Sequence, residues 1–224
     1  VGLLVSGQDE HIVFGRPYHP RYYQKLIEGT GFIKEVDYFS GNISYEQGFD
    51  PRYFELGDRV RERRGFSVRS FKDTEELRTA IPHIKRVWNE AFTGHWGYYP
   101  TTEAEFDLTA SELIAIAKPE LIKLVFKGDD LAGFAIGFPD VSEGVRRAKG
   151  RYLPWGWYHL LRAKQRSQCI TFQGVGMLSP YQGVGASALL YSEIAKTVLP
   201  SAFKLADFGQ VAETTPRGLA DMEA

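Results

Sequence analysis

Between residues 173 and 198 the chain reads Gln173-Gly174-Val175-Gly176-Met177-Leu178-Ser179-Pro180-Tyr181-Gln182-Gly183-Val184-Gly185-Ala186, followed by an apolar run with helical spacing. An extended segment must turn into a helix here, and Gly183 and Gly185 stand at the turn without side chains. Backbone N–H groups in the first turn of a helix have no partner inside it. With no Cβ in the way, several of them can converge on one anion, and the positive end of the helix dipole adds to the attraction. The segment therefore demands a strand, a tight turn and a helix, and it marks a candidate phosphate cradle.

A chain of 224 residues with 43% hydrophobic and 14% aromatic content can bury a substantial core. One cysteine, Cys169, excludes a disulfide framework and fits a reducing compartment. Its apolar context reads as a buried thiol. No apolar run reaches the roughly 18 residues that span a bilayer, and no signal peptide opens the sequence. The expected location is cytoplasmic. A net charge of −1 argues against nucleic acid as a partner of the whole molecule. The sequence begins at Val1 inside what reads as a strand, and Pro216 to Ala224 read as a helix stopped after about two turns, so an incomplete chain is expected.

The periodicities divide the chain unequally. Residues 1–45 read as strand (Gly2 to Ser6), loop, helix (Pro20 to Gly29) and strand (Phe32 to Phe39). Residues 46–65, polar and arginine-rich, read as a linker. Residues 66–224 read as one α/β domain. Phe66 to Ser70 is a short strand, and Asp73 with Glu76 three residues on forms a candidate capping box. The helix from Thr74 to Phe92 contains Pro82, which predicts a kink or break near Ile81. A second helix runs from about Thr102 to Lys118, with Glu103 and Glu105 in its first turn. Leu121 to Lys127 and Leu131 to Phe138 form a hairpin about Gly128-Asp129-Asp130. Strand Gln168 to Leu178, helix Gly185 to Val198 and strand Ala202 to Phe208 complete the order β α α β β, insertion, β α β α.

Three readings compete for the glycine segment. A P-loop is excluded, because the lysine and hydroxyl residue that must follow its last glycine are missing. A dinucleotide fingerprint fits Gly183-x-Gly185-x-x-Ala188 with Asp207 ending the next strand, but four residues, Ser179 to Gln182, intervene between strand and first glycine. The third rests on the whole element order, with a plain strand-to-helix turn as the bland reading beside it. The whole element order over 66–224, with Pro-Tyr-Gln-Gly-Val-Gly before the helix, resembles the GNAT acyltransferase family, whose pyrophosphate loop reads Gln/Arg-x-x-Gly-x-Gly/Ala. Gln182 and Gly185 match, and Ser187 departs from the final Gly/Ala. His95-Trp96-Gly97-Tyr98-Tyr99-Pro100, the insertion Gly150 to Trp157, and Pro17-Tyr18-His19-Pro20 with Tyr22-Tyr23 are similar to a bacterial subgroup that includes ceramide-synthase-like proteins. Members of that subgroup look like two GNAT-like halves in tandem, so the resemblance implies that residues 1–45 are the tail of a first half.

The resemblance implies an α/β fold with a central mixed, mostly antiparallel sheet, acetyl-CoA or a longer acyl-CoA as co-substrate, no metal, and acyl transfer to an amine by direct attack. An activated thioester needs positioning, exclusion of water and help with proton loss from the acceptor ammonium. By that resemblance Val175, Met177 and Leu178 line the pantetheine arm, while the amides of Gly183, Val184, Gly185, Ala186 and Ser187 take the pyrophosphate. Gln182 adds a side-chain donor. Glu213, after the last strand, and His95, in the loop between the first two helices of the domain, are candidate bases acting through water, with Tyr99 beside them. Solvated or capping roles compete at all three. The family's thiolate-protonating tyrosine sits in or after the last helix, and no tyrosine follows Tyr191 here, so poor turnover is expected of this stretch alone. A non-catalytic acyl-CoA-binding or regulatory module is one alternative.

Between Gly144 and Ser192 there is no acidic residue, while Arg146, Arg147, Lys149, Arg151, Arg162, Lys164 and Arg166 alternate with Tyr152, Trp155, Trp157, Tyr158, Leu160 and Leu161. Such a field draws a polyanion such as CoA, or holds an anionic membrane surface through 145–166. The second use goes with a lipid N-acyltransferase acting on a sphingoid-base-like amine, the other alternative; a small-molecule amine is the simpler acceptor.

Overall fold

The computed structural model describes every residue other than 1, 11, 46, 47, 217 and 220–224. A six-stranded sheet in the order β1-β6-β5-β4-β3-β2 carries helices on both faces. Its strands are β1 (Tyr38–Ser44), β2 (Phe66–Ser70), β3 (Ile122–Lys127), β4 (Asp130–Pro139), β5 (Cys169–Met177) and β6 (Leu205–Ala212). All neighbours are antiparallel except β5 and β6, which run parallel. The mixed, mostly antiparallel α/β architecture expected from the sequence is the one observed.

The helices are α1 (Tyr22–Gly29), α2 (Pro51–Arg64), α3 (Thr74–Phe92), α4 (Glu103–Ile116), α5 (Ser142–Ala148), α6 (Gly156–Arg166) and α7 (Ala186–Val198). The central strands bury both faces, so β3 and β4 read as continuous apolar runs. Val125, Ala135, Ile170 and Phe172 pack with Leu189, Leu190 and Ile194 of α7. On the other face Leu124, Phe134 and Ile136 pack with Leu77, Ile84 and Val87 of α3. Eight of the 13 residues of α7 are buried, because α2 covers the side turned away from the sheet.

Local chemistry sets the helix starts. The Asp73 carboxylate accepts from Glu76 N at 2.8 Å, while Glu76 reaches the N–H of Lys72, one residue short of the reciprocal capping-box partner. The box forms instead at Thr102 and Glu105, at the start of α4. Of the kink or break expected near Ile81, the break does not occur: α3 is one helix through Pro82, and its buried side, Leu77, Ala80, Ile84, Val87 and Ala91, holds both halves on the sheet. In the β3–β4 turn Lys127 pairs with Asp130, and Gly128 takes φ +60° in the two-residue loop.

Four expected elements differ. Pro51–Arg64 within the expected linker is a 14-residue helix, opened by the Asp50 cap and closed by Gly65 at φ +63°. Near the start, residues 2–6 form no strand, and β1 begins at Tyr38 rather than Phe32. Phe32 and Ile33, which suggested the earlier start, are 69% and 87% exposed, and pairing with β6 sets the ladder further on. The last strand likewise runs to Ala212, beyond the expected Phe208. Most of the helix expected over 216–224 lies outside the described residues.

Candidate functional site

The parallel ladder between β5 and β6 has three rungs, Cys169 to Leu205, Ile170 to Ala206 and Thr171 to Asp207. Beyond them the strands part. Six further residues of β5 follow its partner β4, and the rest of β6 stays with β1, where Phe208 pairs with Gly41 and Ala212 with Tyr38. The sheet is thus split toward the C-terminal ends of two parallel strands, leaving one backbone edge of each unpaired inside the split. On its other edge β5 carries a bulge: Ile136 pairs with Gly174 and Gly137 with Phe172, so Gln173 is the extra residue.

A wedge stands where the strands part. Arg16 donates to the Phe172 carbonyl at 3.1 Å and to the Asp207 carboxylate at 2.8 Å, and Thr171 Oγ1 donates to the same carboxylate oxygen at 3.1 Å. Both charged side chains are largely buried. Gly209 keeps the opening narrow enough for this bridge: a Cβ there would lie 3.3 Å from Phe172 O and 3.5 Å from the guanidinium. The Phe172 and Phe208 rings stack at 5.3 Å across the parting strands. Asp207, which the dinucleotide reading counted as the residue ending the next strand, is taken by Arg16.

The glycine turn lies at the end of β5. Leu178 N donates to Ala132 O, and a single 3-10 turn, Ser179–Tyr181, reverses the chain. Gln182 Nε2 donates to Met177 O at 2.9 Å, stitching the turn back to the strand. Gly183 has φ +73° with open space where a Cβ would be, and Gly185 has φ +84° with Val60 Cγ2 2.8 Å from its Cβ position. Only glycine fits Gly185 on both counts. Among the described residues, no backbone or side-chain acceptor is bonded to the N–H groups of Gly183, Val184, Gly185, Ala186 or Ser187. They lie at the N-terminus of α7, with Gly183 exposed and Val184, Gly185 and Ser187 half-buried. That is the composition of an anion cradle.

The loop from Thr93 to Thr102 crosses the split. Its root is fixed on β5, where Trp88 and Phe92 of α3 lie 3.1 and 3.2 Å from the Cβ position of Gly174. Its far side is fixed on β1, where Tyr38 OH donates to Trp96 O at 2.7 Å. Asn89 holds the return: its Oδ1 accepts from Tyr98 OH and Thr101 N, and its Nδ2 donates to Thr101 O. His95 sits exposed on this loop with Nδ1 3.0 Å from Phe92 O, capping the end of α3. Tyr99 is 82% exposed. Glu213 follows β6 directly; its carboxylate accepts from Asp37 N at 2.9 Å, its own N–H donates to Asp37 O, and Lys34 Nζ lies 4.0 Å away. Through Tyr38 the loop bearing His95 and the strand end bearing Glu213 share one end of the sheet, and the hydrogen bonds that His95 and Glu213 form there are structural.

Cys169 is on a paired rung, away from the open end. Burial, with Asp140 and Asp207 adding to it, pushes its thiol up to about 12, so it carries no thiolate at neutral pH. Sequence reasoning passed over Gln173, Arg16 and Tyr38. A one-residue offset in an antiparallel ladder leaves no mark in one sequence, and Arg16 lies 191 positions from its carboxylate partner.

Under the same loop, α3, α4 and the sheet enclose an apolar cavity of about 140 Å³. Trp88, Phe106, Leu113, Ile136 and Phe138 line it, and Gln173 stands at its edge.

A split between two parallel strands, a glycine turn feeding a helix from one of them, and a helix pair on one face define the GNAT fold, and this chain has that fold. A crystal structure of a GCN5-related N-acetyltransferase from Sphaerobacter thermophilus superposes with a TM-score of 0.57 at 16% identity, over 90% of this chain and 51% of that one. The glucosamine N-acetyltransferase region of a fungal multi-domain GH3 β-N-acetylglucosaminidase gives 0.51 at 9% identity, over 85% of this chain and 20% of that one. Among curated proteins, the chain is similar to bacterial ceramide synthase of Caulobacter vibrioides, 30% identical over 164 residues, and to protein YghO of Escherichia coli, 24% identical over 161. These alignments take in 72% and 71% of this chain but 41% and 40% of the relatives, so the chain spans about two fifths of their length. No protein-family model matches the chain.

Proposed function

We propose that the protein is an acyl-CoA-dependent N-acyltransferase that moves an acyl group from a CoA thioester to an amine. The observation that carries this reading is the split sheet ending in a glycine turn with five unspent amides. The open edge of β5, ending on Val175, Met177 and Leu178, offers ladder-type bonds to the amides of the pantetheine arm. The N–H groups of Gly183 to Ser187 take the diphosphate, with the α7 dipole behind them. Gln182 acts by holding the turn in shape. The acyl carbonyl then lies near the Gln173 bulge, under the 93–102 loop.

The amine nitrogen attacks the thioester carbonyl, a tetrahedral oxyanion forms, and its collapse breaks the C–S bond. The proton leaving the ammonium ends on the departing sulfur or in water. No covalent enzyme intermediate is needed, in keeping with a Cys169 that stays protonated. His95 and Glu213 relay the proton through water from the end of the sheet they share, and Tyr99 borders the acceptor path. On the tandem resemblance, residues 1–45 are the tail of a preceding GNAT-like half, with Arg16 closing the narrow end of the split.

The apolar cavity favours a second, more specific reading: a lipid amine or a long acyl chain, whose hydrocarbon lies between α3 and α4. The name of the Caulobacter relative points the same way. Calorimetric titration with CoA, acetyl-CoA and palmitoyl-CoA, followed by thiol release with amine pools, separates these. We expect all three ligands to bind, with palmitoyl-CoA favoured if the cavity takes the chain. Gly183→Ala, which puts a methyl over the cradle at a positive φ, should weaken CoA binding roughly tenfold while changing stability by only about 1 kcal/mol. Absence of binding by every CoA ester contradicts the proposal, and binding without thiol release supports a non-catalytic module.

A further inference from the structure

Helices α5 and α6 form a hairpin inserted between β4 and β5. They close on each other at Gly144, where a Cβ would lie 2.7 Å from His159 O and 2.9 Å from Ala163 Cβ. That contact turns the other side of α6 outward. Trp157, Tyr158 and Leu161 on the helix, with Tyr152, Leu153 and Trp155 on the loop before it, are 40–71% exposed. Six large apolar side chains on one hairpin exceed the scatter of single apolar residues that a protein surface carries.

The same hairpin concentrates charge. Between Ser142 and Gln168 there are seven cations and one carboxylate, in a chain whose net charge is −1. Glu143 is shared by Arg146 and Arg147. Lys149, Arg151, Arg162 and Arg166 form no ion pair among the described residues. Trp157 Nε1 already donates to Pro154 O at 2.9 Å, and Tyr158 OH accepts from Arg162 at 3.1 Å. The Trp157 ring can therefore enter an apolar layer without stranding its N–H, and the polar edges of Trp155, Tyr152 and Tyr158 suit the wet headgroup level of an interface.

We infer that the α5–α6 hairpin docks on an anionic lipid bilayer. Leu153, Trp155, Trp157 and Leu161 enter the interface to a depth of about 5–10 Å, and the unpaired arginines meet headgroup phosphates. A nucleic acid offers the charge but no apolar layer for Leu153 and Leu161. The contact is made by the hairpin at the interface; among the described residues no helix is long and apolar enough to cross a membrane. It also has a direction, because Lys164 Nζ donates to Ala115 O at the end of α4 and ties the hairpin to the helix that walls the apolar cavity. Docking does not depend on the acyl transfer proposed above.

The test is flotation of the 224-residue chain with vesicles of phosphatidylcholine alone and of phosphatidylcholine with phosphatidylglycerol. The chain should float with the anionic vesicles, not with the neutral ones, and added sodium chloride should release it. Leu153→Ser/Trp155→Ala/Trp157→Ala should lower its partition roughly tenfold or more, and Arg151→Gln/Arg162→Gln should lower it while leaving any neutral-vesicle binding unchanged. Thermal melts of these exposed-site variants check their folding, and Trp155→Ala in the loop replaces the triple variant should that one melt early. Equal partition to both vesicles, no flotation, or an aromatic variant that floats like the parent overturns the inference. So does release by saturating CoA or by duplex DNA, which would give the charge to a different polyanion.

Discussion

Gly183 and Gly185 do different work although both have positive φ. Gly183 has open space where a Cβ would be, whereas at Gly185 Val60 of α2 stands 2.8 Å from the Cβ position. Opposite the turn, Arg16 and Asp207 are a largely buried pair whose removal by halves is costly. Arg16→Ala leaves the buried Asp207 carboxylate without its cation, held only by Thr171, and the Phe172 carbonyl without its donor, and should lower unfolding free energy by about 3–5 kcal/mol, as read by urea denaturation. Arg16→Ala/Asp207→Asn should recover part of the loss; a single variant within about 0.5 kcal/mol of the parent would mean that the pair does not hold the split. Cys169 gives a pH-linked expectation. Its folded value near 12 lies above its ordinary 9.0, so the native thiol keeps its proton through the range where an unfolded one loses it. At pH 8 iodoacetamide should modify the native chain roughly a thousandfold more slowly than the urea-unfolded chain. The same sign predicts that this group's share of stability is intact below pH 9 and is lost as pH climbs toward 12.

At the level of elements, the long periodic pieces were legible and the charged one was not. The apolar spacing of α3 and α7, the hairpin turn at Gly128 and the strand before the glycine turn all follow from side-chain pattern, because each buries the face its period defines. Helix α2 reads as linker because its 14 residues carry five arginines and bury only Gly57 and Val60. It is a helix because Asp50 and Gly65 cap it and because a small-residue crossing lets it lie on α7. A Cβ at Gly57 would stand 2.9 Å from Ser192 Cβ and 3.4 Å from Leu189 Cα. Gly57→Val should therefore lift α2 and cost about 1–3 kcal/mol, seen as a lower midpoint in thermal unfolding monitored by far-UV circular dichroism. An unchanged midpoint would return 51–64 to the status of a tether. Strand β1 was misjudged for the opposite reason: Phe32 and Ile33 satisfy a strand pattern yet stay exposed, and the ladder begins only where β6 offers a partner.

For the molecule as a whole, the candidate site is a product of strand order. One sequence shows a glycine-rich strand-to-helix turn, which nominates amides at 183–187. It does not show that β5 and β6 share only three rungs, that Arg16 fills the fork, or that Tyr38 ties the loop of His95 to the strand end of Glu213. Those depend on contacts between residues tens to nearly two hundred positions apart, for which a single chain carries no periodic signal. The proposed acyl transfer rests on the split and the turn together, since it lays the thioester along an unpaired strand edge while the diphosphate meets the turn. The most direct measurement is a titration of the 15N-labelled chain with CoA, followed amide by amide in heteronuclear NMR spectra. The amides of Gly183 to Ser187 and of Val175 to Leu178 should shift first and saturate together. Shifts confined to other parts of the sheet, or none at saturating CoA, would contradict a cofactor seated in the split between β5 and β6.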